Sequence, residues 1–456
     1  MKPVFPRKKA LRRKGFQTTF NALISSNIFG GLFLMIVTLF TLITANVDSL
    51  SGILEIWKLK ASLAIGNFIL EMTLLHWVND ALMAVFFFVV GLEIKREMVV
   101  GQLSSFKKAA LPIFAAVGGM ICPAIIFYSI NAGTEFQNGW GIPMATDIAF
   151  SLGVISLLGR RVPVSIKIFL TALAIVDDIG AVVVLAIFYP SHALSLEFLM
   201  YALAIVALLI LLNRLNIHNS AVYLIPGIVL WYFVYQSGIH ATIAGVLLAI
   251  CIPSKSPINE VRFYVRSKYY LEKFKAASNS EVNILANANQ LGIIHKLHTQ
   301  IRHINPLINR FEHRINPYVT YSIMPIFAFA NSGVVFSGLP PISSFSTLSY
   351  GIFLGLAVGK PVGIFIATFL AVKLNVAELP KDIKWSQIFA VGIIAGIGFT
   401  MSIFINSLAF SNENIINEGK AAIMVTSVIA GIIGLIILKI TLEKTPKKIK
   451  YKKIRE

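Results

Sequence analysis

The sequence predicts an all-α polytopic membrane protein with about 12 transmembrane helices, and three observations carry that prediction. Hydrophobic residues make up 56% of the 456 residues and charged residues only 13%, with a mean hydropathy of +0.77, far outside the range of soluble domains. Apolar stretches close to the roughly 20 residues that a hydrocarbon core demands recur along the chain. Basic residues fall almost wholly on alternate connections between those stretches.

The elements follow in order. A basic tail, 1–26, carries Lys2, Arg7, Lys8, Lys9, Arg12, Arg13 and Lys14. The apolar run after it, 28–45, is too long for the core of a signal peptide and lacks a small-residue cleavage site, so it reads as a retained first helix. Eight spans are expected within 27–252, near 27–45, 74–98, 109–130, 136–158, 164–189, 195–213, 219–234 and 237–252. Four more are expected within 317–440, near 317–336, 349–372, 386–409 and 418–439. The region 46–70 is expected to form an extracytoplasmic hairpin, because LEIWKLKASLAIGN at 54–67 roughly alternates polar and apolar residues; an interfacial helix is the other reading. The polar segment 253–316 has no continuous apolar face and is expected to be a cytoplasmic loop, with a surface helix open around 258–286. A second basic tail occupies 441–456.

Charge sets the orientation. With both termini cytoplasmic, all but four of the 40 Lys and Arg lie on the inner side; Lys58, Lys60 and Lys420 lie outside and Lys360 falls within a span. That is the positive-inside pattern, so the net charge of +19 accounts for topology and for contact with anionic membrane lipids, and calls for no nucleic acid. Cys122 and Cys251 both lie in apolar segments and make no disulfide framework.

Two spans carry the wrong residues for an unbroken helix. GWGIPMATDIAFSLGVISLL, 139–158, has Pro143 followed by Thr146 and Asp147 near its middle; FAVGIIAGIGFTMSIFINSL, 389–408, has Gly392, Gly396 and Gly398 followed by Thr400, Ser402 and Asn406. Proline removes an amide donor and glycine weakens helix, so each span is expected to break near the midplane and leave backbone groups unpaired. One such segment in each half of a membrane protein points to inverted-topology repeats, two discontinuous helices crossing near the midplane, and a binding site where they meet. Close helix packing is the alternative reading of the glycines.

The ionisable residues inside spans are few. Asp177 and Asp178 stand together in IFLTALAIVDDIGAVVVLAIFY, 168–189, and a central Asp costs roughly 2.5 to 3.5 kcal/mol on the insertion scale, so the pair needs a partner, a water-filled cavity or an ion. Asp80, Asp147, Lys360 and His240 complete the set, with Glu93 and Glu97 at the inner end of the second span. Buried carboxylates suit a hard cation such as Na⁺ or Li⁺, with Thr146 and freed backbone carbonyls available to complete its shell. Desolvation favours the protonated carboxyl and a nearby cation favours the ionised one, so one carboxylate binds either a proton or a metal ion depending on pH. If the site opens to one side at a time, that competition is sufficient for exchange.

Adjacent residues on a helix point about 100° apart, so Asp177 and Asp178 divide their roles. Lys360 needs an aspartate partner or offsets the negative ends of broken helices, and Asp147 either offsets a half-helix N-terminus or ligates the ion. A structural hydrogen bond is as good a reading of Asp80 as a proton pathway; Glu93 and Glu97 are a solvated helix end or a proton-sensing pair. His240 reads more readily as a packing residue than as a relay. No zinc spacing, Walker loop or nucleophile elbow occurs, which argues against an enzyme and implies no cofactor.

GLEIKREMVVGQLSS, IPMATDIAFSLGVISLLGRRVP, FLTALAIVDDIGAVVV, GIHATIAG, PIFAFANSGV, VGKPVGIF and GIGFTMSIFINSLAF resemble, in order, motifs of the NhaA family of bacterial sodium/proton antiporters. The resemblance covers nearly all the chain from Asn79 onward. It implies twelve helices, electrogenic and pH-regulated exchange of Na⁺ or Li⁺ for H⁺ across the inner membrane, and a homodimer joined through the extracytoplasmic hairpin. It implies Asp178 as principal Na⁺ ligand, Asp177 as its gating or proton-carrying partner, Thr146 and Asp147 in the first broken helix, and Lys360 as the intramembrane lysine. It assigns Asp80 to a cation funnel and Glu93, Glu97, Glu312 and His313 to the pH response. Asn309 and Asn316 stand where the family leads one to expect Lys and His, and the segment before Pro317 is longer than usual, which touches the pH profile and leaves the transport chemistry intact.

The nearest alternative is a proton-coupled carrier of K⁺ or a small organic ion. An intramembrane aspartyl protease needs its aspartates on separate helices with a GxGD context that is missing, and a channel needs a filter-like repeat that is not seen.

Overall fold

The computed structural model describes residues 27–66, 68–190, 193–277, 287–336 and 346–442. The basic tails lie outside them, save Thr441 and Leu442. Among the described residues seven helices are long and apolar enough to cross a membrane, and a bent helix pair makes an eighth. The molecule is a multi-pass membrane protein. The chain divides into two compact units, the first holding the described residues up to Asn79, from Gln102 to Tyr189 and from Thr320 onward, the second those from Asp80 to Gly101 and from Pro190 to Val319.

The first unit opens with α1 (Asn27–Asn46), a 3-10 turn at Gly52–Lys58 and an antiparallel pair, β1 (Lys60–Ile65) and β2 (Phe68–Thr73). The strands start later than the alternation suggested, because the turn falls at Gly66, whose φ of +59° is cheap only for glycine. Lys60 meets Glu71 across the strands at 2.8 Å, a hydrogen bond and charge that hold the Lys60 ammonium above its ordinary pKa. Helix α2 (Leu74–Val99) follows, with a widened π turn at Trp77–Leu82, and carries the chain into the second unit.

Back in the first unit come α3 (Phe106–Asn131), α4 (Ile148–Ser156) and α5 (Val164–Phe188). The span expected at 136–158 is interrupted: Gln137–Met144 is 3-10, and α4 starts only at Ile148. Pro143 inside the 3-10 segment has no amide to continue a helix. Helices α12 (Met324–Asn331), α13 (Thr347–Lys373), α14 (Trp385–Ala395), α15 (Phe399–Ala409) and α16 (Glu413–Thr441) complete the unit once those of the second are counted. Helices α14 and α15 are bent by 46° at their break. Helix α13 contains a π turn at Gly355–Gly359 that ends at Lys360, and lies so close to α3 that a Cβ on Gly363 would sit 2.1 Å from the Gly118 carbonyl oxygen. Glycine at both positions permits that approach, which fixes the depth of Lys360.

The second unit gathers the rest of α2, then α6 (Leu196–Arg214), α7 (Ala221–Gln236), α8 (Thr242–Cys251), α9 (Glu260–Ala276), α10 (Ala288–Ile304) and α11 (Leu307–Tyr318). Its core joins Leu92, Leu209, Tyr223, Leu230, Ala249 and Phe311. Helix α8 begins five residues later than the expected span, since Gly238 at φ +86° ends the preceding helix. The segment expected as a loop at 253–316 holds α9, α10 and most of α11; residues 278–286 of the helix left open at 258–286 lie outside the described residues. Helices α9 and α10 pack on each other, which is why neither needed the long apolar stripe that would have betrayed them.

Candidate ion-binding site

Two interrupted segments of the first unit satisfy one another's backbone. Chain ends at the α14–α15 break expose carbonyls, and residues around α4 answer them: Ser151 Oγ donates to Ile394 O at 3.2 Å, Thr146 Oγ1 to Ala395 O at 2.9 Å, and the Asp147 amide to Ile397 O at 2.8 Å. In the other direction, Ser402 Oγ donates to Ile142 O at 2.8 Å. Gly396 is required at the α14–α15 break, because a Cβ there would lie 2.5 Å from Leu356 O of α13.

Asp147 closes both helix starts. It is the N-cap of α4, where Oδ1 accepts from the Phe150 amide at 3.0 Å, and its Oδ2 accepts from the Thr400 amide at 3.1 Å and from the Thr400 hydroxyl. A carboxylate between two N-termini offsets both positive ends. Of the two readings of Asp147, the contacts seen here are those of the cap. Phe150 and Phe399, in the first turns of these two helices, pack on each other with ring centroids 4.4 Å apart.

Beside this frame, α5 brings Asp177 and Asp178, each 1% exposed, and α13 brings Lys360, fully buried. Lys360 Nζ donates to Asp177 Oδ2 at 2.6 Å and to the carbonyl of Met144, the last residue of the 3-10 segment. Both readings of the lysine are therefore realised: it pairs with an aspartate and it covers a helix end. The paired residue is Asp177. By distance and angle its other oxygen, Oδ1, accepts no hydrogen bond among the described residues. Asp178 also bears on the charge of Lys360, but without the short contact. The freed carbonyls expected to complete a cation shell already accept hydrogen bonds from Lys360, Thr146, Ser151, Ser402 and the Asp147 amide.

The second unit holds a separate set. Arg96 is its hub, 2.5 Å from Glu312, 3.1 Å from Glu97 and 3.7 Å from Glu93. His313 is exposed and is not among Arg96's partners. Asp80 is buried near His240, whose Nε2 lies 3.8 Å from Oδ1, and its carbonyl accepts from Trp231 Nε1 at 3.1 Å. Sequence reasoning placed the acids without giving Arg96 a role, and it passed over Ser151; a hydroxyl in an otherwise apolar span was the available signal for the latter.

A buried Lys–Asp pair on two spans, beside a second aspartate and two breaks that cap each other, is an arrangement for a small cation and protons. The family described as Na⁺/H⁺ antiporter 1 matches residues 21–438. The chain belongs to the Na⁺/H⁺ antiporter 1 family. Relatives in it include the Na⁺/H⁺ antiporter NhaA of Helicobacter pylori (strain P12), 44% identical over 422 residues that cover 92% of this chain and 95% of the relative. The Na⁺/H⁺ antiporter NhaA of Oleidesulfovibrio alaskensis is 44% identical over 412 residues, covering 90% and 91%, and that of Wolinella succinogenes 44% over 417 residues, covering 91% and 92%. Membership in the family agrees with the resemblance carried by the motifs and makes the chain a transporter of the antiporter class.

Proposed function

We infer that the chain exchanges Na⁺ for H⁺, with Li⁺ as an alternative substrate, across the bacterial inner membrane by alternating access. The observation that carries the reading is the buried Lys360–Asp177 pair beside Asp178. Asp178 is the principal ion ligand, Asp177 its partner, and Thr146 borders the site. An ion that draws on Asp177 competes with the ammonium for the same carboxylate. A lysine displaced from its partner in so dry a setting gives up its proton, because an unpaired buried charge is expensive. One monovalent cation then exchanges for protons from two places, Asp178 and the Asp177–Lys360 pair, which makes the cycle electrogenic.

The finer architecture belongs to the same proposal: twelve spans in inverted repeats, the two broken helices crossing near the midplane, and both termini cytoplasmic. The 46–70 region is extracytoplasmic and joins two protomers. Segment 253–316 lies in the cytoplasm. Asp80 lines a cation funnel, Glu93, Glu97, Glu312 and His313 serve the pH response with Arg96, anionic lipids surround the basic side, and no cofactor takes part. The test is Na⁺-driven proton movement in everted vesicles, comparing wild type with Asp178→Asn and Asp177→Asn. Na⁺-dependent alkalinisation of the wild type between roughly pH 6 and 9, where competing carboxylates titrate against the ion, is the expected result; its absence defeats the reading.

A further inference from the structure

Helix α9 carries a surface that ion exchange leaves unused. None of its residues is buried. Phe263, Ser267, Tyr270 and Phe274 are its half-buried side chains, spaced along one stripe that α10 covers. Asn287 Nδ2 donates to Ala277 O at 2.9 Å and Gln290 Nε2 to Phe274 O at 3.5 Å, which ties the two helices.

Away from that stripe the helix is exposed, and one flank carries large apolar side chains: Val261 is 71% exposed, Tyr264 66% and Leu271 58%, with Val265 and Glu272 at the middle of the outward face. Lys268 and Lys275 lie on the same flank by helical spacing, and Arg262, Arg266 and Lys273 form a second basic flank on the other side of the outward face, all exposed, against two acids, Glu260 and Glu272. Lys273 sits 4.7 Å over the ring of Tyr269, so part of the basic border is already gathered against an aromatic. Large apolar side chains among basic ones, on a helix with low overall hydrophobicity, are the composition of an element that lies in a membrane interface. Only residues 252–259 separate the end of α8 from α9, a reach of at most about 29 Å at 3.3 to 3.6 Å per residue. Lys95 donates to the Ile250 and Ile252 carbonyls, which fixes the point from which that tether starts.

We propose that the outward face of α9 docks on the anionic phospholipid headgroups of the leaflet at which α8 ends, Arg and Lys meeting phosphates while Val261, Tyr264 and Leu271 enter the interface. Charge complementarity selects this occupant over a second copy or a soluble partner: a surface with five basic and two acidic residues repels itself. The proposal rests on the chain being a membrane protein and is independent of which ion it carries.

The experiment is amide hydrogen exchange on the full chain in nanodiscs, of phosphatidylcholine alone or mixed with phosphatidylglycerol. Exchange over 260–276 should be about tenfold slower in the anionic discs. That protection should vanish in high salt and in the triple variant Arg262→Gln, Arg266→Gln, Lys268→Gln, and weaken in Tyr264→Ser with Leu271→Ser. Exchange in α5 should stay the same throughout, showing intact folding. Equal exchange in the two lipids overturns the proposal. Protection that follows the number of protein copies per disc, or that inorganic phosphate reproduces in neutral discs, overturns it in favour of self-association or a free anion.

Discussion

Lys360 and Asp177, 183 residues apart in the chain, meet at 2.6 Å with neither side chain more than 1% exposed. Their contact links the helix that carries the aspartate pair to the helix that runs against α3, and through the Met144 carbonyl to the first interrupted segment. The dry site thus holds an ion pair whose partners come from two different spans.

That pair should show strong coupling. Lys360→Met and Asp177→Asn should each lower stability by about 3 to 5 kcal/mol, because each leaves one buried charge alone, whereas the double substitution should cost clearly less than the two singles added together. Thermal unfolding in detergent without Na⁺ measures this. Additive losses would mean that the pair contributes no coupling.

Asp178→Asn should remove Na⁺ and Li⁺ binding while leaving stability close to wild type, since the Lys360–Asp177 contact remains. Calorimetric titration with either ion checks it. Undiminished Na⁺ binding in Asp178→Asn would move the principal ligand elsewhere.

Acid should suppress transport. Protonated carboxyls hold no cation, so protons defeat Na⁺ as pH falls, and more Na⁺ restores it. With two protons released for each ion bound, the half-maximal pH should move down by about half a unit for each tenfold rise in Na⁺, as mass action requires. Na⁺ uptake into proteoliposomes across a pH series gives the result, and a midpoint indifferent to Na⁺ would contradict competition.

Asp147→Ala should cost more than Asp147→Asn. Alanine leaves the Phe150 and Thr400 amides without acceptors in a buried setting, at about 1 to 3 kcal/mol, while asparagine keeps an acceptor and loses only charge. Unfolding midpoints of the two variants, compared with Thr400→Val, rank the contributions. Equal loss in Ala and Asn would show that the cap matters only through its charge.

Gly363→Ala should destabilise by about 1 to 3 kcal/mol or more, because the added methyl meets the Gly118 carbonyl oxygen at 2.1 Å. Lys360 sits three residues earlier on the same helix, so Na⁺ affinity should fall with stability. A variant of wild-type stability that still binds Na⁺ normally would show that α3 yields freely.

The site was partly legible before any coordinates. Unpaired charge in an apolar run is loud, so Asp177, Asp178, Asp147 and Lys360 announce themselves, and Pro143 and Gly396 mark the interruptions because each weakens helix locally. What local chemistry cannot convey is partnership. The angle between Asp177 and Asp178 requires different roles without saying which faces Lys360, and the bonds from Ser151, Thr146 and Asp147 to residues 394–397 join segments about 250 positions apart. Helix α9 stayed an open reading and α10 escaped notice for another reason: the two pack on each other, so neither shows the stripe of a helix laid on a large core.

The mutual capping of the two interruptions bears on which ions the site prefers. Carbonyls of residues 142, 144, 394, 395 and 397 each accept a protein hydrogen bond already, so they make a poor ready-made cage for a dehydrated cation. On the proposed reading, an ion at Asp178 is held chiefly by carboxylate oxygens and by water it brings along, with only the second lone pairs of those carbonyls left to help. Discrimination then turns on charge density rather than on fit to a ring of fixed radius: a compact ion gains most from the carboxylates, and a larger one gains too little to dislodge the ammonium of Lys360.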